Sequence, residues 1–182
     1  GYDLILYSSG VNDRYTITNE NFDLDAGDDV GLLRTWLELG DRSLFASGDN
    51  LASDMFGQSD ETQQFVRDWL GVTVWGDDQR VILGGATSPI VNALPSNPVF
   101  YTILDWRAYG DCPTRNTFDA VEAVAGTKLA DFGDYATGIS AATLLQAANG
   151  SQVISLPYDL SSVWSEYDPP WKVNQPMMLA AR

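Results

Sequence analysis

An α/β fold on a mostly parallel sheet is what this sequence predicts, and three stretches predict it. The first is Tyr2–Ser9 (YDLILYSS), followed by Gly10. The second is Ser43–Ser47 (SLFAS), which opens into Gly48-Asp49-Asn50, and the third is Val153–Asp159 (VISLPYD). Leu4–Tyr7 is continuously apolar, as a central parallel strand buried on both faces would be. A helical pattern lies between the first two stretches, which makes them a strand–helix–strand crossover. Open parallel sheets carry their ligands in the crevice outside the carboxyl ends of the strands. Ser8–Asn12, Ser47–Asn50 and Pro157–Asp159 are therefore expected to meet in one site.

The remaining elements follow in order. Val11–Gly27 is polar and reads as a long loop. Asp28 or Asp29 caps the next helix, whose inner face is Val30, Leu33 and Leu37, widened by Leu32, Trp36 and Leu39. Gly40 stops it. Leu51–Gly57 reads as a short helix. Ser59 or Asp60 then caps Glu61–Leu70, where Phe65/Trp69 and Val66/Leu70 face inward and Gly71 ends the run. Val72–Trp75 and Arg80–Leu83 have strand composition. Gly84–Pro98 reads as loop, Val99–Trp106 and Phe118–Val124 as strands. Ala141–Ala147 and Gln152–Leu156 form a hairpin through Asn149-Gly150, a dipeptide suited to a primed turn. The tail, Ser161–Gln175, is rich in Trp, Tyr and Pro, and Met177 starts a helical run. Both ends look cut through an element, and 1–182 reads as one domain without repeats or linkers.

Composition narrows the function. The 182 residues are 45% hydrophobic and 12% aromatic, which suits a globular core. Twenty-five acidic residues against 10 basic ones give a net charge of −15, which disfavours phosphate backbones and anionic membranes as partners. No apolar run reaches the ~18 residues that span a bilayer, so no membrane insertion is expected. The single cysteine, Cys112, allows no internal disulfide. Histidine is absent, which removes Ser-His-Asp and Cys-His catalysis and His-ligated zinc.

YDLILYSSG, a helix, SLFASGDNLA and a late VISLPYDL together resemble the class I glutamine amidotransferase-like fold, a flavodoxin-like three-layer architecture. More narrowly, the chain is similar to the amidotransferase-like domains of large secreted bacterial proteins. The motifs that carry this are Ser8–Gly10, Leu44–Gly48, Cys112-Pro113 with Phe118-Asp119, and Pro157–Asp159. The resemblance implies an extracellular location and a further strand and helix ahead of Tyr2, which this sequence lacks. It also implies a nucleophilic cysteine at Ala46 or Ser47 and a histidine at Leu156. Neither residue is there, and a nucleophile without a base or a depressed pKa is inert near neutral pH. No catalytic residue is therefore assigned.

What remains is a vestigial crevice: Ser9, Gly10, Ser47, Gly48, Asp49, Asn50 and Asp159. Its carboxylates, with Asp54, could instead do acid–base or metal-assisted hydrolysis, or simply cap helices. Asp23, Asp25 and Asp28 alternate around Gly27 as calcium ligands do, without the closing Glu of a full calcium loop. Calcium is thus the one candidate cofactor, and the competing role is capping. Trp164, Tyr167 and Trp171 could stack on a glycan or seal a sheet edge. The leading expectation is a non-catalytic accessory or interaction domain of a larger secreted protein. Its partners would be other domains of that protein or a self-assembly partner. A crevice hydrolase and a glycan-binding module are the alternatives.

Overall fold

The computed structural model describes residues 2–10, 16–17, 27–78, 83–85, 89–95, 97–100, 105–108, 118–133 and 138–164. Among these residues, ten strands and three α-helices follow in the order β1 (Leu4–Ser8), α1 (Asp29–Glu38), β2 (Ser43–Ser47), α2 (Leu51–Gln58), α3 (Asp60–Asp68), β3 (Val72–Gly76), β4 (Ile90–Ala93), β5 (Asp105–Ala108), β6 (Ala120–Ala123), β7 (Thr127–Asp131), β8 (Ser140–Gln146), β9 (Gln152–Leu156) and β10 (Val163–Trp164). The strands join one mixed sheet in the order β1-β2-β9-β8-β7-β4-β5-β10, and β6 bridges β8 to β3.

The chain is α/β, but its sheet is not mostly parallel. Only β1/β2 and β2/β9 run parallel; the other described pairings are antiparallel. Connection length is the cause. A parallel crossover needs a dozen or more residues, whereas Val124–Gly126 and Ala147–Ser151 reverse the chain in three and five residues. All three α-helices contribute to one core, with Val30, Leu37, Met55, Phe65 and Val66 packed on Leu44, Ala46 and Val153. The other face, reached by Phe45, Leu144 and Leu156, is covered by Phe100, Trp106, Phe118, Phe132 and Tyr158. Phe118 meets Tyr158 edge-on at 5.7 Å between ring centroids, and Trp106 Nε1 donates to the Tyr158 hydroxyl at 3.0 Å.

Local signals give the helices their ends. Asp28 accepts from Gly31 N at 2.9 Å and opens α1. Ser59 and Thr62 form a reciprocal capping box on α3. Leu32 and Leu39 are 69% and 67% exposed, so the inner face of α1 is narrower than its sequence suggests. β1 also departs from expectation, because among the described residues its one strand neighbour is β2, and Leu4 and Leu6 are half exposed. An apolar run reports burial potential, not the number of neighbours.

The Asn149-Gly150 hairpin forms as expected, with Gly150 at φ +86°. Its turn also closes the end of α1. Asn149 Nδ2 donates to Leu37 O at 2.9 Å, and Ser151 Oγ donates to the same carbonyl at 2.6 Å. Replacing Asn149 by Ala is expected to lower stability by about 1 kcal/mol in urea melts, with little change in m. β4 and β7 were not foreseen. Of the expected strand Val99–Trp106, Val99 and Phe100 lie in a bend where their N–H groups donate to Asn97 Oδ1, Asp105 and Trp106 belong to β5, and residues 101–104 lie outside the described residues. Arg80, Val81 and Ile82 of the strand-like Arg80–Leu83 lie outside the described residues, as does the helical run from Met177.

Candidate functional site

β1, β2 and β9 are adjacent and end level with one another, Ser8 opposite Ser47 and Ser47 opposite Leu156. The structure thus brings Ser9, Gly10, Ser47, Gly48, Asp49, Asn50 and Asp159 to one edge of the sheet. Ser9 N donates to Ser47 O at 2.9 Å, and Asp49 N donates to Gly10 O at 3.0 Å, which ties the first two turns together. Gly48 leaves room for the Ser9 side chain at that approach. A Cβ there would lie 1.7 Å from Ser9 Oγ.

The carboxylates of this crevice face inward. Asp49 is buried, and its Oδ1 accepts from Asp159 N at 3.0 Å, joining the second turn to the third. Asp159 is buried too; its Oδ1 accepts from Ser161 N at 3.0 Å and from Ser8 Oγ at 3.2 Å, and its Oδ2 accepts from Ser161 Oγ. Asn50 occupies the position that precedes α2, yet its side chain makes no capping bond. That role falls to Asp119, which sequence reasoning quoted in a motif but did not place in the site. Asp119 N donates to Asp49 O at 2.7 Å. Its Oδ2 accepts from Ala52 N at 2.8 Å and Ser53 N at 3.0 Å, capping α2 from a distant segment.

Burial pushes the Asp119 carboxyl up to about 7, against the opposing pull of the Ser53 and Ala52 donors, with a further upward push from the Asp77 charge. A carboxyl near 7 has the acidity of a general acid or base. Asp119, however, is 0% exposed; its Oδ2 is taken by a helix terminus, and its Oδ1 is buried with no hydrogen-bond partner among the described residues. Ser47 is fully buried, and among the described residues its hydroxyl has no hydrogen-bond partner. Lys128 is turned to Asp131 at 2.8 Å and to Gly138 O, and Lys172 lies outside the described residues. The hydrogen bonds of the crevice tie its three turns together.

Asp54 is drawn away from the crevice: its Oδ2 accepts from Thr16 N, Thr16 Oγ1 and Gln58 Nε2 at 3.0–3.1 Å. Of the calcium triplet, Asp28 caps α1, and Asp23 and Asp25 lie outside the described residues. Among the described residues no three acidic or cysteine side chains converge as metal ligands. Val163–Trp164 pairs with Arg107–Ala108, while Tyr167, Trp171 and Cys112 lie outside the described residues.

No family model and no curated protein matches the chain. Solved structures do. The β-galactosidase of Bacillus circulans sp. alkalophilus matches over 87% of this chain and 20% of its own, at 10% identity and a TM-score of 0.55. The cold-adapted β-galactosidase of Rahnella sp. R3 matches over 86% and 20%, at 15% identity and a TM-score of 0.53. Gan42B, a GH42 β-galactosidase, gives 86% and 19%, at 12% identity and a TM-score of 0.53. The chain thus spans about a fifth of the length of these proteins and is similar to them in fold.

Proposed function

We propose that this chain is a non-catalytic accessory domain, of the flavodoxin-like class I glutamine amidotransferase-like type, within a larger secreted bacterial protein that processes carbohydrate. One observation carries the reading: the crevice carboxylates accept backbone hydrogen bonds from the segments around them, so the site is a buckle. The parallel trio β1-β2-β9 with level turns supports the amidotransferase-like assignment, although hairpins replace the crossovers elsewhere. The fold's occurrence as a fifth of three β-galactosidase chains supports the accessory role and the carbohydrate setting. Glycoside hydrolysis by this domain itself would need a pair of reachable carboxyl groups flanking a sugar. Asp49, Asp119 and Asp159 are buried and engaged, which argues against it. The reading needs no cofactor.

The test pairs turnover with stability. Ester, amide and β-galactoside substrates are expected to be untouched by the wild-type domain. Asp49→Ala is expected to lose about 2 kcal/mol of stability, because Asp159 N is left buried without its acceptor. Turnover that vanishes in Asp49→Ala at unchanged stability would show a hydrolase instead.

A further inference from the structure

We infer that Asn149 is a deamidation site which the folded hairpin holds shut, and that its product cannot rebuild the joint between the hairpin and α1. Neither half of this depends on what the domain binds. Asn149-Gly150 is the one Asn-Gly pair in the sequence, and it lies exposed in the β8–β9 turn. In such a pair the Gly150 nitrogen, once deprotonated, attacks Asn149 Cγ. The Cγ–Nδ2 bond breaks, ammonia leaves, and a cyclic succinimide forms. Water then opens the ring at one carbonyl or the other, giving aspartate or isoaspartate. Glycine favours the reaction because no Cβ obstructs the approach of its nitrogen.

The folded turn engages the groups this chemistry must release. The Gly150 N–H, whose proton must go, donates to Ala147 O at 3.1 Å. Asn149 Nδ2, the leaving nitrogen, donates to Leu37 O at 2.9 Å and to Glu38 O at 3.3 Å. Asn149 Oδ1 accepts from Ser151 N at 3.1 Å. The carboxamide is thus fixed at both ends, and swinging it into line for ring closure breaks these bonds. The backbone beside it is tied as well. Asn149 O accepts from Asp41 N at 3.2 Å, and Ser151 Oγ donates to Leu37 O and accepts from Arg42 N.

An opening that lets the ring close also removes what shuts the turn again. Aspartate puts a carboxylate oxygen where Nδ2 stood, so Leu37 O and Glu38 O lose a donor and face an anion. Both carbonyls belong to the last turn of α1, where the helix dipole already gathers negative charge. Isoaspartate adds a methylene to the main chain of a turn that has little slack. A Cβ on Gly150 would lie 2.2 Å from Asp41 Oδ1, and one on Gly40 would lie 2.8 Å from Asn149 O. Either product leaves the hairpin joined to α1 by fewer bonds than before.

The folded domain and a capped peptide of residues 146–152 are incubated in the same mildly alkaline buffer, and deamidation at Asn149 is followed by peptide-mapping mass spectrometry. The peptide should react roughly tenfold faster or more, because several hydrogen bonds must open together in the domain. Urea below the unfolding midpoint should speed the domain's reaction in step with exchange of the Gly150 amide, and should leave the peptide's rate unchanged. Ser151→Ala removes a bond to Leu37 O and should speed the reaction roughly fivefold. Asn149→Asp reproduces one product, and its Asp41 and Gly150 amides should exchange roughly tenfold faster than in the wild type. Equal rates in peptide and folded domain, or a domain rate indifferent to urea, would overturn the protection. Wild-type exchange in Asn149→Asp would overturn the claim about the product.

Discussion

Asp119→Asn should erase most of the fall in stability that the wild-type domain shows as pH rises from 4 to 7. Because the folded-state carboxyl is raised to about 7 from an ordinary 3.8, the folded chain holds a proton that the unfolded chain has lost throughout that interval. Stability from this group is complete below the unfolded value and declines as pH climbs through the folded one. About three pH units at about 1.4 kcal/mol each make the decline about 4 kcal/mol at most. Asparagine keeps an oxygen for Ala52 N and Ser53 N but cannot titrate. Urea melts of both proteins at pH 4.5, 6 and 8 should therefore show the variant gaining on the wild type as pH rises. Parallel pH profiles would mean that the two helix donors outweigh burial and Asp119 is ionised in the fold.

Gly71→Ala should lower stability by about 3 kcal/mol, through two separate faults. The backbone at Gly71 has φ +71°, where a Cβ costs about 1 kcal/mol or more. That Cβ would also lie 2.7 Å from Gly126 N and 2.9 Å from Gly126 Cα, and backbone has little room to give. The place matters because Gly71 O accepts from Val124 N, Ala125 N and Gly126 N, pinning the β6–β7 turn to the end of α3. Gly84 provides the control. Its φ is +64° and none of the described residues comes within 4 Å of a Cβ there, so Gly84→Ala is expected to carry the backbone penalty alone, about 1 kcal/mol. For a domain of this size the Gly71 variant should melt about 10 °C lower, and equal melting of the two variants would refute the clash.

What the sequence disclosed depended on how local its cause was. Ser59, one of the two expected caps, and the Asn149-Gly150 turn act within a few residues, and the helix cap and hairpin they announce are both present. The level ends of β1, β2 and β9 could be foreseen because each strand stops at its own Ser, Gly or Pro turn. β4 and β7 could not, since IVNA and TKLAD are short and mixed in character, and pairing rather than composition makes them strands. The half exposure of Leu4 and Leu6 was hidden for the same reason: LILY states what the strand could bury and not what lies beside it. Asp119 is the clearest case. It caps a helix 67 residues earlier in the chain, so no local pattern could assign it, whereas Asn50 held the expected position and left the capping undone.

Native-state hydrogen exchange at the Asp119 and Asp159 amides tests the buckle most directly. Asp119 N is held by Asp49 O and Asp159 N by the Asp49 carboxylate, which together join the turns of the crevice. If those bonds are structural, both amides open only when the whole domain unfolds, with opening free energies equal to the global value across a denaturant series. Exchange through a local opening well below global stability would describe a crevice that works by moving, and would contradict a role confined to holding the fold together.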